Sequence, residues 1–464
     1  MKISGSRFIT LLVLVMIWAT TAAFAHQDDP KVLDRQPRYE GPGYRFDLAN
    51  KTGEPEFPSS GIQLMAWLTL PEFGGHSSAN DCWGYTSGSG REYAIIGLRG
   101  GTAFVEVSQP GNPQIVDVLS GPSSSWRDIK TYRHYAYAVS EGGGGIQVFD
   151  LEQIDAGTVT LAATITEGGN TATHNVAIDE ASGFLYRTGG SGNGLRIYDL
   201  TDPVNPDLVA SWDDKYVHDA QIVTYTEGPY AGRQIAFACA GFNGGWVNTG
   251  LSIIDVTDKS NLQVLAHYEF PNPVYSHQGW LSEDKQLFYL NDELDEQDLN
   301  VQTTTHVIDV SDLSDPVQVS TFTTGSSAID HNLYVHDGRI FEANYRSGLR
   351  VFSNTEDPRN PVEVAFFDTY PDSDSANFNG LWSVYPFFPS GTIIGSDIER
   401  GLFVWRLEEC GTRYDLNEDC KVDKSDLELV VSEWNQFCTD CNQDADEDGR
   451  VTIQDMAMII NNIL

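Results

Sequence analysis

"NGLRIYDLTDPVNPDLVASW", Asn193 to Trp212, decides the fold. It opens on an Asn-Gly turn and enters a strand in which Leu195 and Ile197 alternate with polar residues. It breaks at Asp-Pro and Asn-Pro, then resumes as a second strand ending at Trp212. A period of two sends one face of each strand into a core. In the linker, Pro fixes φ and Asp or Asn bonds nearby backbone amides, which makes a tight turn.

The same unit recurs. It begins at Gly101 ("GTAFVEVSQPGNPQIVDVL"), Gly144, Thr249, Thr303 and Ser347, and a seventh copy from Arg400 ("RGLFVWRLEE") stops before its second strand. Glu106, Asp150, Asp199, Asp255, Asp309, Ser353 and Arg406 align and stand about 44 to 56 residues apart, the period of a propeller blade. Two further strands precede each unit, such as "HNVAIDE" and "GFLYRTGG" before the copy quoted. The seventh unit's missing outer strand is at the other end of the chain, in "IQLMAWLTLP" at Ile62–Pro71. These observations predict an all-β fold: a seven-bladed β-propeller closed by an N-terminal strand, without a free edge. The rival reading is an open β-solenoid.

Composition agrees. The 464 residues include 43 glycines and few long amphipathic helical stretches, and the formal charge is −38. Such a chain has no basic surface for nucleic acid or an anionic membrane. The expected domains are a signal peptide (1–25), an N-terminal extension (26–60), the propeller (61–408) and a small helical calcium module (409–464). Lys2 and Arg7, the apolar run "ITLLVLVMIWA" and the "AFA" site before His26 form the signal pattern. No later apolar run is long enough to span a bilayer, so the mature chain is expected to be secreted or at the cell surface. Cys82 and Cys239 fall in strands and read as buried thiols. Cys410, Cys420, Cys438 and Cys441 crowd the tail and read as disulfide candidates, with three pairings open.

With strand A innermost, four histidines align at its start in consecutive blades: His174, His218, His277 and His331. Asp219 follows His218, and Asp330 precedes His331. Together they form a candidate site at the channel mouth, suited to a transition metal or to acid–base work. His76, Glu141, Arg187, Asp292, Glu293, Tyr345, Arg346, Asp397, Glu399 and Arg400 lie in connections toward the same face. The competing reading is structural: a residue repeated at one blade position often makes a repeated hydrogen bond between blades. The acidic connection "NDELDEQDLN" (Asn291–Asn300) reads as a solvated loop, with calcium as the alternative.

The tail carries two twelve-residue frames with calcium-loop spacing. In "DLNEDCKVDKSD" the ligand positions are Asp415, Asn417, Asp419, Lys421 (by its carbonyl), Asp423 and Asp426. In "DADEDGRVTIQD" they are Asp444, Asp446, Asp448, Arg450 (carbonyl), Thr452 and Asp455. Val422 and Val451 sit where paired loops pack together. Gly449 holds the sharp turn in the second frame and Cys420 replaces it in the first.

Two resemblances add to this. The body, about residues 60–407, resembles the secreted choice-of-anchor B proteins and their LVIVD repeat, through "NDCWGYT", "REYAIIGL", "YVHDAQ", "SHQGWLSEDKQLFYLNDELDE", "IDHNLYV" and "FPSGTIIGSDIERGLFV". That resemblance implies a bacterial secreted propeller with a variable C-terminal attachment and no established reaction. The tail is EF-hand-like, but Asp fills position 12 and no helix precedes either loop; in this it resembles dockerin type I repeats. This implies two bound Ca²⁺ ions and attachment to a cohesin-like or cell-surface protein. Lys424–Ser425 and Ile453–Gln454 stand at the dockerin recognition positions and differ from a Ser-Thr pair.

The expected function is a binding or scaffold protein, with an unknown protein or glycan ligand on the propeller. The alternative is an extracellular hydrolase or lyase acting on polysaccharide through the histidine site, although no carboxylate pair stands at a defensible spacing.

Overall fold

A computed structural model describes residues 34–46, 55–169, 171–190, 192, 194–240 and 249–408, and in the tail 414, 416, 422, 424–436, 443–446 and 449–462. The signal segment and the four tail cysteines lie outside the described residues.

Seven antiparallel sheets follow one another along the chain. Their first strands are Ala79–Thr86, Arg127–Tyr132, Asn175–Asp179, Asp219–Thr224, Gln278–Leu281, Asn332–His336 and Leu381–Tyr385. These A strands touch in a closed cycle, each against the next and the last against the first, and so line a central channel. The core lies between blades. Tyr93, Ile95 and Phe104 of blade 1 pack on Ile129, Ala136 and Phe149 of blade 2, because one sheet cannot bury its own apolar face.

The ring closes as the sequence predicts, which excludes the open solenoid. Ile62–Leu68 pairs with Gly401–Leu407, Ile62 opposite Leu407 and Leu68 opposite Leu402. Trp67 stacks on Phe403 at 5.3 Å, and Phe403 on Trp405 at 5.3 Å. The Trp67 indole N–H donates to Arg400 O at 2.8 Å.

The repeated turn chemistry is also as expected. The carboxylates of Asp150, Asp199, Asp255 and Asp309 accept the amide two residues on, at 2.8, 2.7, 3.0 and 3.1 Å. One repeated feature has no counterpart in the sequence reading. In blades 1 to 6 the pairing of strands C and D slips once, for example between Ile197 and Tyr198. Such bulges increase the local twist.

The N-terminal extension contributes strands of its own. Tyr44–Arg45 adds outside the closing strand of blade 7, and Ser59–Ser60 outside blade 6. Tyr39 N–H donates to Glu399 O at 2.9 Å, and Asn379 donates to Asp34 O at 2.8 Å. Cys82 and Cys239 are free and buried. Among the described residues no helix is long and apolar enough to cross a membrane.

In the tail, helices run Lys424–Ser432 and Ile453–Asn462. Leu416, Val422, Val430, Val451 and Ile459 form its core. The paired valines therefore meet as their loop positions predict.

Candidate functional site

The four histidines converge. Ring centroids are 4.2 Å apart for His174 and His218, 4.0 Å for His218 and His277, and 4.3 Å for His277 and His331. The arc continues onto Tyr345 at 4.6 Å and Trp382 at 5.0 Å. Each histidine stands where the chain enters strand A, so the blade rotation spaces them like steps around the channel.

Most of the arc is bonded from blade to blade. His218 Nδ1–H donates to His277 O at 3.1 Å, and His331 Nδ1–H donates to Trp382 O at 2.6 Å. His174 Nδ1 lies 2.6 Å from Glu141 Oε1. All four side chains are buried, His277 and His331 to 1% exposure. His218 and His331 thus make the same bond to the backbone of the next blade, while His174 pairs with a side chain of the preceding one. One part of the arc goes further. Glu293 lies 3.6 Å from His277 Nε2 and 3.4 Å from His331 Nε2, and accepts from Tyr345 O–H at 2.9 Å. His277, Glu293 and His331 each offer a ligand atom within 4.8 Å of the others.

The remaining expected residues have other places. Asp219 belongs with Lys130 and Asp128, the charged groups that act on it most, and His174 is a weaker neighbour. Asp330 faces Glu296, Asp295 and Asp292 rather than the arc. Strand alternation turns a residue next to a histidine to a different side. Arg187 bonds Thr173 and Tyr198, Arg346 bonds Asn379 and Ser375, and Glu399 accepts from Gly380 N. The Asp397 carboxylate accepts the Glu399 and Arg400 amides, and the Arg400 guanidinium lies over the Trp67 ring. His76 accepts from Gly100 N at 3.3 Å. These residues hold loops together.

The acidic connection is a correction. Asp292 is 0% exposed, Glu293 1%, Asp295 5% and Glu296 4%, so the first half of this connection is buried, and only Gln297–Asn300 are exposed as a solvated loop would be. Charge pattern alone marks it as surface, yet the connection from strand B (Leu287–Asn291) to strand C (Thr304–Asp309) of blade 5 turns its first half inward against Asp330 at the entry to blade 6.

Sequence reasoning missed a second feature, in the channel. Trp83, Trp280 and Tyr334 line a cavity of about 150 Å³ with Lys130, Asp219 and Gln221. Lys130 Nζ lies 2.6 Å from Asp128 and 4.5 Å from the Trp83 ring centre. Burial raises Asp81 to about 8, with Asp128 adding to it, and burial raises Asp219 to about 7. Burial opposes the Lys130 charge, but Asp128, Asp81 and Asp219 outweigh it and hold its pKa above the usual value. The available signal was the inward period of strand A: Trp83, Lys130, Trp280 and Tyr334 each stand two residues beyond the Asp81, Asp128, Gln278 and Asn332 position.

In the tail, Asp444, Asp446 and Asp455 each place an oxygen within 4.8 Å of the others. Asp455 accepts the amides of Asp446 at 3.0 Å and Thr452 at 2.6 Å. Gly449 has φ 88°, and its N–H donates to Asp444 at 2.8 Å. Asp426 accepts from Leu416 N at 2.7 Å. Asp415, Asn417, Asp419, Lys421, Asp423 and Asp448 lie outside the described residues.

The class is thus a seven-bladed propeller followed by a small helical C-terminal module. Residues 413–464 match the family model of the Dockerin type I domain, and the chain carries such a domain there. Dockerin type I domains bind calcium and dock on cohesins. No curated protein matches the chain. Among solved structures it is similar to a chain of a mitotic checkpoint complex (12% identity, TM-score 0.48, 78% of this chain and 99% of that one). It is also similar to the computationally designed Ika8 protein (10% identity, TM-score 0.45, 71% and 84%).

Proposed function

We propose that this is an extracellular, non-catalytic binding protein of the choice-of-anchor B type, tethered through its dockerin to a cohesin-bearing partner, with a glycan as the propeller's ligand. The observation that carries the binding reading is the channel cavity. Half-buried Trp83 and Trp280 line it with apolar surface for a sugar ring, and Asp219, Gln221 and Lys130, the last lying over the Trp83 ring, supply hydrogen-bonding groups. The bonded, buried histidine arc supports a structural part for most of its members. Exposed Ile453, Val431, Trp434 and Ile460 on the tail support protein docking there.

Titration of soluble oligosaccharides into the wild type and Trp83→Ala/Trp280→Ala tests the ligand. Saturable binding lost in the variant is expected; turnover of any oligosaccharide would favour the enzyme instead. Calcium-dependent capture by immobilised cohesins, weakened in Ile453→Asp, tests the tether.

One observation favours a second reading, a transition metal at the arc. His331 spends its Nδ1–H on Trp382 O, which leaves Nε2 as the nitrogen facing Glu293. That tautomer is the one a metal ligand needs. Zinc, copper or iron recovered with the protein, and lost in His277→Ala, would establish it.

A further inference from the structure

Asp292 and Glu293 are consecutive, yet they serve different surroundings. Glu293 faces the histidines. Asp292 lies within a second group, made with Asp295, Glu296, Asp330 and His306. Asp292, Asp295 and His306 each offer a ligand atom within 4.8 Å of the others. Asp292 N–H donates to the Asp330 carboxylate at 3.3 Å, and Asp330 N–H to Glu296 Oε1 at 3.4 Å. Every member is at least nine-tenths buried.

Four buried carboxyls in one place need compensation. The groups acting most strongly on Asp330 are Glu296, Asp295, Asp292 and Glu342, all acidic. No cation ranks among the main influences on Asp292, Asp295 or Glu296 either. The second observation is independent of the charge count. Asp330 Oδ1 and His306 Nε2 are buried polar atoms without a hydrogen-bond partner, whereas the Asp295 and Glu296 carboxyls lie within hydrogen-bond reach of each other. His306 Nδ1 sits 3.0 Å from Gln318 Oε1, so it is the donor, and Nε2 keeps its lone pair. An orienting amide on one nitrogen and a bare lone pair on the other is the arrangement of a metal-binding imidazole.

We propose that Asp292, Asp295, Glu296, Asp330 and His306 bind a divalent cation that prefers oxygen donors, Ca²⁺ or Mn²⁺, and that this ion pins the blade 5 connection against blade 6. The donor set is mostly carboxylate, which suits hard ions. This site is separate from the tail's calcium loops and from the histidine arc.

The test uses the full chain. Asp426→Ala/Asp455→Ala disables position 12 of both tail loops. This variant is dialysed against calcium chloride or manganese chloride, and bound metal is counted by atomic emission. One ion per chain should remain, and it should disappear when Asp295→Asn/Glu296→Gln is added. The near-isosteric variant keeps shape and hydrogen-bond capacity, and a near-UV circular dichroism spectrum equal to the parent's confirms folding. Thermal midpoints supply a second readout: added metal should raise the propeller's midpoint in the parent and not in the Asn/Gln variant. No ion retained by the parent would overturn the proposal. So would an ion retained equally by the Asn/Gln variant, which would place it outside this cluster.

Discussion

The propeller and the dockerin tail reach stability by opposite means. The propeller hides its apolar faces between blades, and each of its core clusters is shared by neighbouring units. Among its described residues the tail has a small core of Leu416, Val422, Val430, Val451 and Ile459, and turns carboxylates toward one another. A module of about fifty residues buries too little apolar surface to stand easily without a staple or an ion. In the first region side-chain contact supplies the free energy; in the second, calcium held as dockerin type I domains hold it would add to a small core. The acid cluster of blade 5 is a piece of the second strategy set inside the first.

The largest effect should come from calcium removal. Each site filled at a thousand times its dissociation constant stabilises the folded tail by about 4 kcal/mol. Chelation with EDTA should therefore abolish the tail's cooperative transition in calorimetry and leave a separate propeller transition standing. A tail that melts unchanged in EDTA would break the contrast. Next is the closing strand. Trp67 is 2% exposed within the stacked Trp67–Phe403–Trp405 group. Trp67→Ala should cost about 3–5 kcal/mol of propeller stability and leave the tail's calcium affinity as it was.

How much of this was legible in the sequence follows from which interactions are periodic. Strand alternation, the Asp turns, the displaced closing strand and the alignment of His174, His218, His277 and His331 all repeat, and each was readable. Asp292 to Glu296 has no repeat partner, and a run of acids looks solvated until the neighbouring blade is in place. The two strands added by the extension, Tyr44–Arg45 and Ser59–Ser60, are too short to show a period. The channel cavity needed the seven-fold arrangement itself, because Trp83, Lys130, Trp280 and Tyr334 come from four different blades.

A smaller effect sharpens the contrast through pH. The channel carboxyl of Asp81 has its pKa raised to about 8, chiefly by burial. Unfolded, it titrates near 4. Between these values the folded state holds the proton and the unfolded state has lost it. Stability is therefore full below about pH 4, falls as pH rises, and stops falling above about 8, with a slope of at most about 1.4 kcal/mol per unit from this group. Asp81→Asn should reduce the measured slope by that share in urea titrations of the propeller between pH 5 and 8, leaving the part due to other buried carboxyls such as Asp219. An unchanged slope would show that Asp81 is not the titrating group.

The smallest effect concerns the two tail loops. Gly449 sits at φ 88°, a region that side chains avoid, and its N–H donates to Asp444, one of the clustered carboxylates. Gly449→Ala forces a Cβ into that turn and should cost about 1 kcal/mol, close to a fivefold loss of calcium affinity in a titration followed by tail helicity. The first loop has Cys420 at the same position. If both loops turn alike, Cys420→Gly should relieve a similar strain and tighten calcium by a similar factor under reducing conditions, where no disulfide can contribute. Equal affinities for Gly449→Ala and the wild type would mean that the ion, rather than the backbone, dictates the turn. The tail would then depend on its ligand even for local geometry, which the propeller's bonded, repeated turns do not.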